Sequence, residues 1–380
     1  MNNISLLHCD EYNYKQVKEV IDQTFINLGG IQKFVKPGMK VLLKLNLLMK
    51  KRPEEVTTTH PVFVEALTQA VQEAGGIVTI ADSPGGLYTQ KALKGVYSVC
   101  GIEEVAKKTG AILNYDVTYK EVSFPEGKIT KSFAIITPVL ESDLIINVPK
   151  LKTHGMTLFT GAVKNLFGTI PGTYKAEYHF RMQNKKDFCN ALIDLCEFIK
   201  PSLSFMDGIV GMEGSGPSGG NPREIGVVIA STSPYLVDLV ATTIISIKPS
   251  EVYTIVNSIE RGLCPSNIAE INITGDDINR FIIKDYKLPV GRSLSFLEGL
   301  PQFMQNSINS WISPKPVFIH EECIGCKDCE VNCPPKAITM KEKKPYVNLN
   351  ECIKCFCCQE LCPKKAIQIK RPWWIEKFLK

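Results

Sequence analysis

Two copies of one cysteine-rich stretch lie near the end of this 380-residue chain. Residues 323–334 read Cys-Ile-Gly-Cys-Lys-Asp-Cys-Glu-Val-Asn-Cys-Pro, and residues 352–363 read Cys-Ile-Lys-Cys-Phe-Cys-Cys-Gln-Glu-Leu-Cys-Pro. A Lys-Ala-Ile tripeptide follows each copy, at 336–338 and at 365–367. This internal repeat predicts a small domain that is built from two matching units.

Each copy has the spacing C-x2-C-x2-C-x3-C-P, which bacterial two-cluster ferredoxins use to bind 4Fe–4S clusters. Three cysteines at this spacing reach three irons of one cube, and the fourth cysteine reaches the other cube. The proline after each fourth cysteine stops the chain from continuing as a helix. We therefore predict two 4Fe–4S clusters with crossed ligand sets. One set is Cys323, Cys326, Cys329 and Cys362, and the other is Cys352, Cys355, Cys358 and Cys333.

Zinc is the alternative occupant, because sets of four cysteines also bind zinc. The triple spacing followed by Cys-Pro is rare in zinc motifs and favours iron–sulfur clusters. Cys357 falls out of register with the repeat, so we expect it to be a packed thiol. No secretory signal is visible, which argues against disulfides. The cysteines expected to be small buried side chains are Cys9, Cys100, Cys189, Cys196 and Cys264.

The rest of the composition is typical of a soluble globular protein, with 44% hydrophobic and 22% charged residues. No apolar run approaches the roughly 18–20 residues of a membrane-spanning helix, and the expected location is cytoplasmic. The net charge of +5 is concentrated in residues 363–380, which hold six Lys or Arg against one Glu. A neutral body with a basic end does not resemble a nucleic-acid-binding protein, so no nucleic acid is expected as a partner.

The large N-terminal part, residues 1–284, alternates strand-like and helix-like segments. This alternation predicts an α/β domain with a mostly parallel sheet covered by helices, with an antiparallel excursion within 120–138. Residues 285–316 are rich in Pro and Gly and are predicted to be a linker. A small ferredoxin-like α+β domain is expected over 317–371, followed by a basic aromatic tail over 372–380.

Polar side chains of the large domain gather where its predicted strands end. Ligands of open α/β sheets bind outside the carboxyl ends of the strands, so these positions predict one pocket. Its lysines suit an anionic group such as phosphate or carboxylate, although lysines at strand ends can also be simply solvated. The candidate binding residues are Lys44, Asn46, Asp82, Ser83, Lys150, Lys152, Lys164 and Asn165, of which the last two are expected to begin a helix.

His154 is the candidate proton donor, since an unperturbed imidazole titrates near neutral pH. Asp207 and Glu213 lie in a glycine-rich stretch after a predicted strand and are candidate acids in a mobile loop, with turn or capping carboxylates as the alternative. The same stretch contains G-x-G-x-x-G at 214–219, but a proline interrupts it and a strand follows, which does not fit a dinucleotide site. A metal site is a further alternative, formed by His60, His154, His179 and Glu213.

Several ordered motifs of the large domain resemble a known family. They are Lys44–Asn46, Thr58-Thr-His-Pro, Asp82-Ser-Pro-Gly-Gly, Pro149-Lys-Leu-Lys-Thr-His, Gly161-Ala-Val-Lys-Asn-Leu-Phe-Gly and Asp207-Gly-Ile-x-Gly-Met-Glu-Gly-x-Gly-Pro. On these motifs the chain resembles the family catalogued as domain of unknown function 362. Members of that family often carry the same ferredoxin-like domain. The resemblance implies a shared map of the site and no particular activity.

The predicted clusters and the lysine-rich pocket together indicate an oxidoreductase that relays single electrons to an anionic substrate or cofactor. The expected partners are an anionic small molecule and an external one-electron donor such as ferredoxin or flavodoxin, under low oxygen. Two alternatives remain. One is a non-catalytic electron-transfer or assembly protein that docks a partner, and the other is a metal-cofactor enzyme with structural clusters. The tail is expected to dock on this protein or a partner, with an anionic membrane as the alternative.

Overall fold

The structure is a computed structural model, and it describes residues 3–290 and 312–372. The strands are β1 (Asn3–His8), β2 (Lys40–Leu45), β3 (Ile77–Ala81), β4 (Ile112–Leu113), β5 (Tyr119–Ser123), β6 (Ser132–Ile136), β7 (Leu144–Val148), β8 (Lys150–His154), β9 (Leu158–Thr160), β10 (Leu203–Glu213), β11 (Asn221–Ser231), β12 (Asn272–Gly275), β13 (Lys315–Phe318), β14 (Ile338–Lys341), β15 (Lys344–Val347) and β16 (Ile367–Lys370). The α-helices are α1 (Tyr14–Asn27), α2 (Pro61–Glu73), α3 (Gln90–Val99), α4 (Ile102–Thr109), α5 (Thr137–Leu140), α6 (Ala162–Asn165), α7 (Gly172–Arg181), α8 (Lys185–Ile199), α9 (Pro234–Ile244), α10 (Tyr253–Glu260), α11 (Asp328–Val331) and α12 (Cys357–Glu360).

One large sheet organises residues 3–290, and its main path follows the order β12-β1-β11-β10-β7-β2-β3-β4. The strands from β10 to β4 along this path pair in parallel. Strand β11 pairs antiparallel with both β1 and β10, and β8 extends the sheet beside β10. This arrangement confirms the predicted α/β domain with a mostly parallel sheet.

Helices cover both faces of this sheet. Along β2, Val41 and Leu43 pack into the core beneath α1 and α2, whereas Leu42 packs into the opposite core beneath α8 and α9. Successive side chains of a strand point to opposite faces, so the middle of a strand that is buried on both sides is apolar, as Val41, Leu42 and Leu43 are. The ends of the central strands are therefore the places where polar side chains can reach a ligand.

Two stretches of the large domain test the predicted segmentation. The antiparallel excursion within 120–138 is confirmed, because β5 and β6 form an antiparallel pair. The prediction of a mobile loop from Asp207 onward is wrong. Strand β10 continues to Glu213, since its backbone keeps pairing with β11 beyond a register shift between Gly208 and Val210.

The small C-terminal domain pairs β13 with β16 and β14 with β15, both antiparallel. The short helices α11 and α12 occupy equivalent places in the two cysteine repeats. Hydrogen bonds from side chains to backbone carbonyls tie this domain to the large one. They join Lys51 Nζ to Pro363 (3.0 Å), Ser218 Oγ to Glu360 (2.6 Å), Gln359 Nε2 to Ser215 (2.9 Å) and Lys365 Nζ to Gly220 (3.0 Å).

The predicted linker differs from the structure at both of its ends. Tyr286 is buried and donates to the carbonyl of Met212 (2.8 Å), so packing of the large domain continues past residue 284. Strand β13 already begins at Lys315. The rest of the linker, 291–311, and the tail from 373 lie outside the described residues. In the described ranges, no helix combines the length and apolar character needed to cross a bilayer.

Candidate functional site

A cleft with about 710 Å³ of empty space lies between the large domain and the C-terminal domain. It collects most of the binding residues that were predicted at strand ends. From the large domain, the cleft is lined by Asn46, Asp82, Ser83, Lys152, His154, Lys164, Asn165, Lys175 and His179, among others. From the C-terminal domain, it is lined by Asn332, Cys357, Glu360 and Leu361.

Helix α7 forms one wall of this cleft, since its lining residues recur at helical spacing. They are Gly172, Lys175, Ala176 and His179, at i, i+3, i+4 and i+7. At the start of the helix, a Cβ on Gly172 would collide with the backbone carbonyls of Pro84 and Gly86. Only glycine permits this contact, which brings α7 against the Asp82-Ser-Pro-Gly-Gly loop.

Lys152 is buried in strand β8, and its ammonium group is held at the edge of the cleft. Nζ donates to Oδ1 of Asn46 (2.7 Å) and to the carbonyl of Thr57 (2.6 Å). Burial lowers the pKa of Lys152 to about 7, with a smaller opposing effect from Glu360. A bound anion would favour the protonated form of Lys152. The anion would then face a full positive charge at this position.

Two further lysines add positive charge to the cleft. Lys175 donates to the carbonyl of Ser83, and burial lowers the pKa of Lys175 to about 8. Lys164 Nζ lies 5.6 Å from the centre of the Phe167 ring. The hydroxyl of Ser83 is buried and has no hydrogen-bond partner among the described residues. These donors suit a ligand that is rich in oxygen acceptors.

Lys44 lies behind the cleft wall, where it supports Asp82. The two side chains form a buried ion pair with Nζ 2.7 Å from Oδ1, and Oδ2 of Asp82 accepts from the backbone N–H of Leu47 (2.6 Å). Burial lowers the pKa of Lys44, and Asp82 opposes this shift. The prediction that Lys44 contacts the ligand is therefore wrong, because its ammonium group is already paired in the interior.

His154 reaches the cleft as a neutral imidazole. Its Nδ1 accepts from the backbone N–H of Met156 (3.1 Å) and Thr157 (3.4 Å), which leaves the proton on Nε2. Nε2 lies 3.7 Å from a carboxylate oxygen of Glu360 and makes no hydrogen bond among the described residues. Burial holds the pKa of His154 well below its usual value, so the neutral imidazole is favoured near neutral pH.

Lys150 and Asp207 do not line the cleft, because they form a buried pair of their own. Nζ of Lys150 lies 2.9 Å from Oδ2 of Asp207, and Oδ1 of Asp207 accepts from the hydroxyl of Tyr12 (2.7 Å). The backbone N–H of His60 also donates to Asp207 (3.0 Å). The structure therefore separates Lys150 and Asp207 from the cleft residues and pairs them with each other.

Glu213 also lies outside the cleft. It accepts from the backbone N–H of Lys287 (3.1 Å) and lies 3.5 Å from its ammonium group. The structure therefore does not bring Glu213 together with His154 in the cleft. The alternative metal site fails as well, because His60 stacks on Tyr12 and does not join His154 in the cleft.

Lys164 and Asn165 were expected to begin a helix, but they end one. Helix α6 is a single turn, Ala162–Asn165, followed by a 3₁₀ turn over Leu166–Thr169. The first backbone N–H groups of α6 donate to the buried carboxylate of Asp238. The first N–H groups of α6 are therefore already occupied by the Asp238 carboxylate.

Lys175 and Glu360 line the cleft but were not predicted from the sequence, whereas His179 was predicted only as a metal ligand and Cys357 only as a packed thiol. Lys175 and His179 have a signal in their i, i+4 spacing with Gly172 and Ala176 on one helix face, which could have been found. Glu360 and Cys357 have none, because they lie within the cysteine repeat and reach the cleft only through domain contact. Cys357 is buried, as predicted, yet it also lines the cleft.

The eight predicted cluster cysteines line two cavities within residues 312–372. Cys323, Cys326, Cys329 and Cys362 line one cavity of about 380 Å³. Cys333, Cys352, Cys355 and Cys358 line another of about 330 Å³. This grouping follows the crossed pattern expected from the spacing. Cys357 lines neither cavity, and the five scattered cysteines of the large domain are buried.

The surroundings of these thiols fit an iron–sulfur cluster. The backbone N–H of Gly325 donates to Sγ of Cys323 (3.4 Å), and that of Ala366 donates to Sγ of Cys362 (3.3 Å). Hydrogen bonds to sulfur are among the features that tune such clusters. Gly325 adopts a φ of 71°, a left-handed conformation that favours glycine.

Comparison with known proteins agrees with this geometry. Residues 41–243 match the family described as Domain of unknown function (DUF362), and residues 322–366 match the 4Fe-4S dicluster domain. The chain belongs to the DUF362 family. A thylakoid-associated protein of Synechocystis sp. is 33% identical to this DUF362 protein over 316 residues, which are 81% of the chain and 94% of the relative.

Two solved structures are similar to part of the DUF362 protein. The lactate racemase apoprotein from Thermoanaerobacterium thermosaccharolyticum has a TM-score of 0.41 at 12% identity, covering 62% of this chain and 56% of that one. A protein from Thermotoga maritima has a TM-score of 0.32 at 15% identity, covering 54% and 52%. The chain thus spans little more than half the length of either structure.

Proposed function

We propose that this DUF362 protein is an iron–sulfur oxidoreductase that reduces an anionic ligand in the interdomain cleft. One observation carries the proposal, namely that both domains build the cleft. Lys152, Lys164 and Lys175 come from the large domain, and Cys357 and Glu360 come from a helix of the iron–sulfur domain. A ligand held by the lysines would lie beside Cys357, which is next in the chain to the proposed cluster ligand Cys358.

The eight repeat cysteines are proposed to hold two 4Fe–4S clusters, one in each thiol-lined cavity. When bound, such clusters supply one-electron transfer at potentials set by their surroundings. The chain contributes four thiolates to each cavity and backbone N–H donors to the sulfurs. The other lining residues of the second cavity include the apolar Ile338, Val347 and Phe356.

The cleft residues divide into binding and positioning roles. Lys152, Lys164 and Lys175 bind the anion, and the free hydroxyl of Ser83 donates a further hydrogen bond. His154 donates from Nε2, where its proton is held. Lys44 acts from behind the cleft wall as a positioning residue, since its ion pair with the lining residue Asp82 fixes the loop that carries Ser83.

The partners and the location remain proposals. An external one-electron carrier is proposed as the donor, with no role for nucleic acid. A cytoplasmic location is proposed from the sequence, and the thylakoid association of the Synechocystis relative makes contact with a membrane surface the alternative to test by fractionation.

The proposal is tested by reducing the anaerobically purified protein with dithionite and then adding anionic compounds singly. We expect at least one carboxylate or phosphate compound to reoxidise the protein. The number of electrons that the protein loses should equal the number needed to reduce that compound. If every compound in a broad panel binds without reoxidising the protein, the non-catalytic docking function replaces the enzyme.

Replacing Lys152 with methionine is expected to weaken binding of sulfate, an anion whose charge is constant near neutral pH, by roughly 10- to 100-fold. A hydrogen bond to a charged group contributes about 1.5–3 kcal/mol, which corresponds to this range. Titration calorimetry measures the loss, and iron content is expected to stay unchanged. Lys287→Met is the matched control outside the cleft, and an equal loss there would contradict the assignment.

The same titration is expected to depend on pH. The pKa values of Lys152 and Lys175 are about 7 and about 8 in the ligand-free protein, and a bound anion raises both. The complex then holds more protons than the free protein above pH 7. Sulfate affinity is therefore expected to fall as pH rises beyond about 7, by up to about tenfold per pH unit for each lysine. A pH-independent affinity would contradict cleft binding by these two lysines.

Replacing His154 with alanine is expected to slow turnover of an active ligand by about 100-fold or more while binding changes little, because it removes a fixed N–H donor to negative charge that develops during reduction. Glutamine, which keeps an N–H donor, is expected to retain more activity than alanine. The pKa of His154 is depressed, so its ionisation is not expected to affect the rate near pH 6.5. The wild-type protein should therefore show no change of rate with pH in this range that is lost in His154→Ala. Such a titration would show that the imidazole acts as a charged acid.

A further inference from the structure

Lys152 differs from the other buried lysines at the strand ends because it has no carboxylate partner. Lys44 pairs with Asp82 and Lys150 pairs with Asp207, so each of these lysines keeps a counter-ion in the interior. Lys152 forms no ion pair with any described residue, and both of its hydrogen bonds go to neutral oxygens. A buried ammonium group without a counter-ion readily gives up its proton.

The charged groups that face Lys152 do not replace the missing partner. Glu360 of the iron–sulfur domain acts on it from across the cleft without a hydrogen bond, and Lys164 opposes this effect. Asp82 and Lys150 also act on it, but each of them already has its own partner. Burial therefore dominates and lowers the pKa of Lys152 to about 7, so the neutral amine is well populated near neutral pH.

The hydrogen bonds of Lys152 fit this neutral amine. An ammonium group has three N–H donors, whereas a neutral amine has two and a lone pair. Nζ donates to Oδ1 of Asn46 (2.7 Å) and to the carbonyl of Thr57 (2.6 Å), which accounts for both hydrogens of the amine. The lone pair is then free to react with a molecule in the cleft that Lys152 lines.

A chain of side-chain amides fixes which atom Asn46 presents to Lys152. Nδ2 of Asn46 donates to Oδ1 of Asn165 (2.8 Å), and Nδ2 of Asn165 donates to Oδ1 of Asn147 (2.8 Å). Nδ2 of Asn147 in turn donates to the carbonyl of Ala162 (2.9 Å). Because the nitrogen of Asn46 is used in this chain, its oxygen is the atom that faces Lys152. The acceptor is therefore in place before a ligand binds.

The same cleft offers donors for a carbonyl oxygen and for an anion. His154 follows Lys152 by two residues on β8, and its buried Nε2 has no hydrogen-bond partner in the described part of the chain. The buried hydroxyl of Ser83 is without a partner there too. Lys164 acts electrostatically on both Lys152 and Lys175. An amine, an N–H donor, a hydroxyl and two further cations thus line one cavity.

We propose that Lys152 is a nucleophile that forms an imine with an aldehyde or ketone carrying an anionic group, of which oxo acids are the smallest. This rests on the proposed function in one respect, namely that the cleft takes an anionic ligand. Lys164, Lys175 and Ser83 hold the anionic group, and Nε2–H of His154 donates to the carbonyl oxygen. Amines of lysine side chains form such imines with carbonyl substrates.

The reaction needs no oxidant or reductant. The lone pair of Nζ forms a bond to the carbonyl carbon, and one proton moves from Nζ to the former carbonyl oxygen. The C–O bond then breaks, and the oxygen leaves as water with the second proton of Nζ, which gives a neutral imine. His154 stabilises the negative charge that develops on the oxygen in the first step. Hydrolysis reverses both steps and releases Lys152.

The test traps the imine in the intact, cluster-loaded protein under anaerobic conditions. The protein is incubated at pH 7 with pyruvate or glyoxylate and with cyanoborohydride, which delivers hydride to the imine carbon and leaves a stable secondary amine. Mass spectrometry detects the adduct, and peptide mapping locates it. We expect the adduct on Lys152, because about half of its amine is neutral at this pH, compared with roughly a thousandth or less for an exposed lysine.

Three variants check this assignment. Lys152→Met is expected to lower labelling by about tenfold or more, to the level left by exposed lysines. Asn46→Asp keeps the lysine but places a carboxylate beside Nζ. This raises the pKa of Lys152 and is expected to slow labelling at pH 7 by about tenfold. Lys287→Met, outside the cleft, is expected to label as wild type.

The pH dependence of labelling provides a second measurement. The reacting form is the neutral amine, whose fraction rises with pH up to and beyond the pKa of about 7. The labelling rate of the wild-type protein is therefore expected to rise about fivefold between pH 6 and pH 7. Sulfate, which favours the protonated form of Lys152, is expected to inhibit labelling.

Two results would overturn imine formation by Lys152. One is that neither oxo acid leaves an adduct on wild-type protein whose iron content is intact. The other is that adducts lie on Lys175 or on exposed lysines to the same extent in Lys152→Met as in the wild type. If Lys152 is labelled but no oxo acid reoxidises the reduced protein, the imine stands and the proposed reduction falls. If an oxo acid reoxidises the protein without labelling it, the reduction stands and the imine falls.

Discussion

Replacing Cys333 with alanine is expected to remove one of two iron–sulfur clusters, leaving about four of about eight irons per chain. Although Cys333 belongs to the first repeat in sequence, it lines the same cavity as Cys352, Cys355 and Cys358. A cube that loses one of its four thiolates is expected to be lost or to become labile. Iron and sulfide analysis of anaerobically purified protein measures the change.

The control for this experiment is Cys357→Ala. Cys357 lines the cleft and neither thiol cavity, so its removal is expected to leave about eight irons. Electron paramagnetic resonance of the reduced Cys333→Ala protein identifies which cluster survives. Survival of the second-repeat cluster, with loss of the first, would contradict the crossed ligand sets.

Replacing Asp207 with asparagine is expected to lower the free energy of unfolding by about 3–5 kcal/mol, since it leaves a buried charge without its partner. Lys150 Nζ lies 2.9 Å from Asp207, and both side chains are almost fully buried. The asparagine keeps the size of the side chain, so the effect reports the lost charge rather than a cavity. Urea unfolding followed by circular dichroism measures it.

Asp285→Asn is the matched control for this prediction. Asp285 pairs with Arg223 at 2.7 Å, but its side chain is 76% exposed. Exposed ion pairs contribute about 0–1 kcal/mol, so little change is expected. If Asp207→Asn were no more destabilising than Asp285→Asn, the Lys150–Asp207 pair would not have the structural role assigned to it, and catalysis by Asp207 would regain support.

The sequence predicted the iron–sulfur domain well because its geometry is local. The cysteines of each repeat lie within a stretch of 12 residues, and the proline after the fourth cysteine ends the helix of that repeat. The assignment of each fourth cysteine to the opposite cluster also follows from short-range geometry. Three closely spaced thiolates bind three irons of one cube, and the fourth cysteine cannot reach the same cube.

The large-domain site could be predicted only in part. Asn46, Asp82, Lys152 and His154 line the cleft because polar residues at the carboxyl ends of neighbouring strands share one edge of a sheet. Lys150 was indistinguishable from Lys152 by spacing. The two differ because β8 pairs irregularly with β10, which places Lys150 opposite Asp207 and Lys152 opposite Met212.

The sequence by itself therefore determined the two crossed cysteine sets, the α/β class and most strand-end donors, because each depends on residues that are close along the chain or on a regular sheet edge. Only the tertiary structure decided which lysine pairs with an acid and which lines the cleft, since a buried carboxylate such as Asp207 comes from a distant strand. It alone placed Glu360 and Cys357 in the cleft and left Ile324 exposed. Packing of one repeat against the large domain distinguishes two units that the sequence makes equivalent.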